Sequence, residues 1–176
     1  MLDAAGIDYR AEKPDVDEAL VKERLSTALE IASELAAAKA TSIASAEWVI
    51  GSDSVVGVAN CLFDKPADRD EAAEHLRFFS GEEMSLTSAV ALAHDGIIEW
   101  SHTETARLLV RPLSETFIAD YLDAEWPEVG YTVGVFRMEG RGVQLFDRIE
   151  GDHFTILGMP LLALLCALRE RGLVPA

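Results

Sequence analysis

Five ionisable side chains stand where packing alone would not put them: Glu18, Lys39, Asp53, Lys65 and Glu139. Asp53 interrupts the stretch VIGSDSVVGV, whose flanks have the β-branched, apolar character of a strand covered on both faces. A carboxylate in such surroundings is costly unless it is hydrogen-bonded, paired or holding a cation. Held in place and ionised, it has what a general base or a metal ligand requires. The other reading of Gly51-Ser52-Asp53-Ser54 is a tight turn between two strands. Lys39 shares one helical face with Ala32, Ala36 and Ile43. That face is otherwise apolar, so the ammonium either snorkels to solvent or meets an anion. Lys65 precedes Pro66 in FDKPAD, where proline favours extended backbone and throws the side chain clear, toward a ligand or into solvent. Glu18 ends the acidic run DVDE, a composition that the dipole at a helix start also favours. Glu139 lies in RMEGRG, where glycines allow a ligand close to the backbone; an exposed turn of mixed charge fits as well.

Other chemistries find no support. His75, His94, His102 and His153 have no ligand spacing to one another. GSDSVVG lacks the Gly-x-Ser-x-Gly of a nucleophile elbow, and no phosphate-cradling Walker loop is present. Cys61 and Cys166 sit among apolar residues without metal spacing, and a chain of this size does not depend on disulfides. With 31 acidic against 15 basic residues the net charge is −16, which excludes a nucleic-acid polymer as the natural partner. A small phosphorylated ligand remains admissible if a few cations offset its charge. The start MLDAAGIDYR has no signal-peptide character, and PLLALLCAL is far shorter than the ~20 residues of a membrane span, so the cytosol is expected.

The elements that must position these residues follow from pattern. Leu2 to Ala5 reads as the last turn of a helix stopped by Gly6, IDYRAEK alternates as a strand, and Pro14 to Glu18 reads as an acidic loop. A long helix follows with Ser26 as N-cap, then a strand from Trp48 to Val58 and a strand end and loop over CLFDKPADRD. Asp68 or Asp70 caps a helix ended by Ser80-Gly81, and two long strands meet at HDG. Ser114 caps a helix to about Leu122 that Trp126-Pro127 breaks, Gly130 to Gly142 is irregular, VQLFDRIEG is a strand, and Pro160 starts a last apolar helix. The expected fold is α/β, a mixed sheet flanked by helices in a chain of one domain with two lobes.

Taken in order, AGIDY, DVDE, LAAAKA, VIGSDSVV, FDKPADRDEAAEHLRFFSG, SAVAL and EGRGVQLFDRIEGDHFTILGMPL resemble the Maf family of nucleoside triphosphate pyrophosphatases across almost the whole chain. The resemblance implies hydrolysis between the α- and β-phosphates, giving a monophosphate and pyrophosphate, with a divalent cation (Mg²⁺, Mn²⁺ or Co²⁺) and in a homodimer. It implies Asp53 as general base or metal ligand, Glu18 as a second metal ligand, and Lys39 and Lys65 as neutralisers of phosphate charge. Glu139 then faces the base and Ser54 keeps the hydroxyl of the family's threonine. Glu at the base-facing position is found in the branch associated with 7-methyl-GTP, whereas Gln marks a dTTP and UTP branch. Family members open with a strand and a phosphate-binding loop, and this chain is expected to lack both. The same resemblance leaves a second reading, a non-catalytic regulator of septum formation and cell division. A third, an inosine triphosphate pyrophosphatase, is disfavoured by the GSDS and DKP pairing.

Overall fold

The computed structural model describes residues 1–175. The chain runs in order through α1 (Glu18–Arg24), α2 (Ala28–Ser42), β1 (Val49–Val58), β2 (Cys61–Phe63) and α3 (Arg69–Phe79). It continues through β3 (Glu83–His94), β4 (Ile97–Val110), α4 (Glu115–Glu125), β5 (Phe146–Glu150), α5 (His153–Ile156) and α6 (Leu161–Glu170). The five strands run in the order β2-β1-β3-β4-β5, so the fold is α/β as expected. The chain reverses through positive φ at Ala59 and Asn60 between β1 and β2 and at Asp95 and Gly96 between β3 and β4. Register is antiparallel where β1 meets β2 (Val56 opposite Phe63) and where β4 meets β5 (Leu108 opposite Ile149).

Two compact units share the chain. The first comprises Met1–Ser54, Thr87–Glu104 and the stretch from Asp152 onward. In it, β1 has two differently covered faces, as strand alternation requires. Toward one side, Gly51 meets α2 so closely that a Cβ there would lie 2.2 Å from the Ala36 carbonyl oxygen and 2.5 Å from the Ala40 nitrogen. Toward the other, Ile50 packs with Val90 and Leu92 of β3 against Leu161, Leu164 and Leu168 of α6. Burying each such leucine stabilises the unit by about 2 kcal/mol. The second unit, Val55–Leu86 and Thr105–Gly151, packs α3 against α4. Arg77 forms a forked ion pair with Glu115 there, and Phe63 meets Phe78 and Phe79.

Three expectations need correction. Residues 7–13 form no strand: Tyr9 donates to Asp3, Arg10 donates to Glu12, and the alternation of IDYRAEK finds no ladder. The acidic DVDE is a helix start: Asp17 accepts from the Ala19 and Leu20 amides and opens α1, two turns too short to show a period. The cap of α2 is Thr27, one residue beyond Ser26. Its hydroxyl accepts from the Glu30 amide at 3.2 Å, the N-cap bond, and donates to the Glu30 carboxylate at 2.7 Å. Thr27→Ala is therefore expected to lose about 1 kcal/mol, roughly 3 °C in Tm, while Ser26→Ala changes almost nothing, as a thermal melt of the pair reads.

Candidate functional site

Gly51 brings α2 against β1, and on that same face two residues along the strand stands Asp53. Lys39, between Ala36 and Ala40, reaches it: Lys39 Nζ donates to Asp53 Oδ1 at 2.5 Å. Glu18, the first residue of α1, approaches the same ammonium at 2.8 Å through Oε1. The Lys39 and Asp53 side chains retain only 18% and 11% of their exposure, while Glu18 keeps 45%. The apolar helix face singled out in the sequence therefore delivers its lysine to an anion, and Asp53 lies on a strand.

Burial works against the Lys39 charge, but the hydrogen bonds and charges of Asp53 and Glu18 outweigh it and hold the ammonium above the usual lysine pKa. Burial also lifts the Asp53 carboxyl above the usual aspartate value; Lys39 offsets part of that, and the nearby Glu18 charge adds to it. One ammonium is shared by two carboxylates, so the Asp53 carboxyl is incompletely compensated and stays raised.

That sharing leaves a net negative charge. Two carboxylates with hard oxygens are the donors that Mg²⁺ and Mn²⁺ take alongside phosphate oxygens, so Glu18 and Asp53 suit such a cation. No group of three or more His, Cys, Asp or Glu gathers among the described residues, and the remaining ligands would be phosphate and water.

Behind Asp53, on the opposite strand face, the hydroxyls of Ser52 and Ser54 point into the protein. Ser52 Oγ lies 2.8 Å from the Ala89 carbonyl and 3.0 Å from that of Gly158. Ser54 Oγ lies 2.7 Å from Ser88 Oγ and 3.1 Å from the Gly158 carbonyl, and Ser88 donates to the Thr155 carbonyl. The β1 segment bearing Asp53 is thus bolted to β3 and to the α5–α6 connection. Sequence reading missed Ser52, Ser88, Thr155 and Gly158, since partners 34 to 106 residues apart leave no local pattern. Lys39 also lines a cavity of ≈ 810 Å³ walled by Trp48, Gly51, Ser52, Tyr9 and Arg10, which Asp53 and Glu18 do not line.

The other expected residues belong to the second unit. Lys65 is exposed beside the buried Pro66. Glu139 is exposed at the tip of a turn whose Gly140 amide donates to the Arg137 carbonyl. A Cβ at Gly142 would stand 2.5 Å from that carbonyl, so the turn requires glycine there. The carboxylate of Glu125, at the end of α4 and 7% exposed, accepts from the Arg141 amide and from Arg137 Nη2, both at 3.1 Å. The Arg141 amide and then Arg137 hold the Glu125 carboxyl below the usual glutamate pKa. Glu125 escaped the sequence reading, yet a signal existed: an acidic residue in the last turn opposes the helix dipole and must be compensated elsewhere.

Known proteins resemble the chain along its length. A nucleoside triphosphate pyrophosphatase of Sphingopyxis alaskensis is 44% identical, over 99% of this chain and 92% of its own. A 7-methyl-GTP pyrophosphatase of Rhizobium meliloti is 42% identical, over 100% and 92%. A nucleoside triphosphate pyrophosphatase of Bradyrhizobium diazoefficiens is 41% identical, over 99% and 89%. Residues 1–171 match the family described as Maf-like protein, and with that match the chain that builds the Glu18–Lys39–Asp53 cluster belongs to the Maf-like family.

Proposed function

We propose that this protein hydrolyses a nucleoside triphosphate between the α- and β-phosphates, releasing a nucleoside monophosphate and pyrophosphate. The observation that carries the reading is the buried Lys39–Asp53 pair with Glu18 on the same ammonium. Relatives at 41–44% identity whose names are those of pyrophosphatases support it. Asp53 takes the proton of the attacking water as its oxygen adds to the α-phosphorus, and pyrophosphate leaves. Lys39 and Lys65 offset phosphate charge, which must be neutralised before a nucleophile approaches. Glu18 and Asp53 would hold a divalent cation, which supplies further charge neutralisation at the phosphate oxygens. Ser54, whose hydroxyl turns away from Asp53 onto Ser88 and the Gly158 carbonyl, stiffens the strand that carries Asp53 and does not itself touch substrate. Glu139 reads the base: a carboxylate accepts both N–H groups on guanine's Watson–Crick edge and suits the cationic ring of 7-methyl-guanine. UTP and dTTP should therefore be turned over more slowly than 7-methyl-GTP and GTP.

The raised Asp53 carboxyl gives this function a pH signature. A base must be ionised, so kcat/KM rises with pH through the Asp53 pKa, which burial raises and a bound cation would lower. Lys39 favours the ionised form, so Lys39→Met moves this acid limb to higher pH. A pH–rate profile whose limb stays fixed in Lys39→Met contradicts Asp53 as the base.

A further inference from the structure

We propose that Glu125 is a positioning residue for base selectivity, which holds the turn from Arg137 to Arg141 that presents Glu139; this rests on the reading that Glu139 faces the base. The two contacts of Glu125 straddle Glu139. Oε2 accepts from Arg137 Nη2 two residues before it, and Oε1 accepts from the Arg141 amide two residues after it. The turn is drawn onto the carboxylate so tightly that a Cβ at Gly140 would lie 2.8 Å from Glu125 Oε2.

The segment leading into the turn is pinned from the same helix. Val135 holds φ +55°, a left-handed conformation rare for a β-branched residue. The Tyr121 hydroxyl of α4 donates to the Val135 carbonyl at 2.9 Å in buried surroundings. Burial raises the Tyr121 pKa, so this donor stays protonated. Arg137 Nε is buried without an acceptor among the described residues, and the guanidinium is held by Glu125 at 3.1 Å, with Glu128 at 4.0 Å on its other amine. Strain of this kind persists where the surroundings over-determine it and is concentrated at ligand-handling segments.

Glu139 itself is exposed and lacks a hydrogen-bond or ion-pair partner among the described residues. A carboxylate so placed discriminates between bases only if its backbone is fixed. A misplacement of about 1 Å is enough to lose 100-fold in a positioned interaction. Glu125 thus makes no contact with substrate and acts through the geometry of Glu139.

The test measures kcat/KM for 7-methyl-GTP, GTP, UTP and dTTP in wild type, Glu125→Gln, Glu125→Asp, Glu139→Gln and the double variant Glu125→Gln/Glu139→Gln, each with its thermal melt. Glutamine keeps the shape of Glu125 but turns an N–H group toward a donor. We expect Glu125→Gln to reduce the preference for 7-methyl-GTP over UTP about tenfold, Glu125→Asp to restore part of it, and the double variant to add nothing to Glu139→Gln. Should Glu125→Gln fail to fold, Arg137→Gln, on a side chain that is 40% exposed, reads the same clamp. Equal losses on all four nucleotides in the Glu125 variant overturn the proposal while Glu139→Gln still shifts the ranking. An unchanged ranking in Glu139→Gln overturns the reading beneath it.

Discussion

Asp53→Asn is expected to reduce nucleotide hydrolysis about 1,000-fold while leaving the protein folded with an unchanged or higher Tm. The two halves of that result come from one fact. The folded-state pKa of Asp53 is raised, so its protonated form is the one that folding favours. The stability it contributes is full below the unfolded-state pKa and is lost as pH rises through the folded-state pKa. At neutral pH the ionised carboxylate therefore works against the fold. Asparagine keeps the shape, removes the buried charge and leaves Lys39 its contact with Glu18 at 2.8 Å. A site retained at a cost to stability is the expected signature of function. Enzyme assay and thermal melt on one preparation check both halves.

Gly51→Ala is expected to destabilise the protein by about 3 kcal/mol, about 10 °C in Tm, and to lower activity as well. The new methyl would meet backbone atoms of α2 at 2.2 and 2.5 Å and the Ala40 side chain at 2.9 Å. Backbone inside a helix cannot step aside as a flexible side chain can, so α2 must move off β1, taking Lys39 from Asp53. Gly57→Ala is the control on the same strand. Its Cβ would meet Ser85 Oγ at 2.9 Å, and a hydroxyl that rotates away makes the substitution cheaper. Equal Tm losses for the two variants would remove Gly51 as the residue that sets the Lys39–Asp53 distance.

Much of this arrangement is written locally in the chain. The turn at Asp95-Gly96, the caps Asp68 and Ser114, and the stop at Trp126-Pro127 each rest on one or two residues with strong backbone preferences, and each lies where those preferences put it. The pairing of Lys39 with Asp53 was half legible: helical periodicity shows a lysine on a buried face, and burial of a charge demands a partner. What was not legible depends on partners distant in sequence. Residues 7–13 alternate, but a strand needs a neighbour to hydrogen-bond, which alternation does not supply. The bolting of Ser52 and Ser54 to Gly158 and the seating of Glu125 under the Glu139 turn are tertiary facts. Glycine at 51 and 142 announces freedom, yet only the fold shows that close approach is what it serves.

The most direct measurement is identification of the products by ³¹P NMR when the protein is mixed with 7-methyl-GTP and Mg²⁺ or Mn²⁺, beside Asp53→Asn. Pyrophosphate and 7-methyl-GMP in equal amounts from the wild type, and almost none from the variant, are the predicted outcome. Orthophosphate with 7-methyl-GDP, or pyrophosphate released equally fast by Asp53→Asn, contradicts a site built on Asp53 and directed at the α-phosphate.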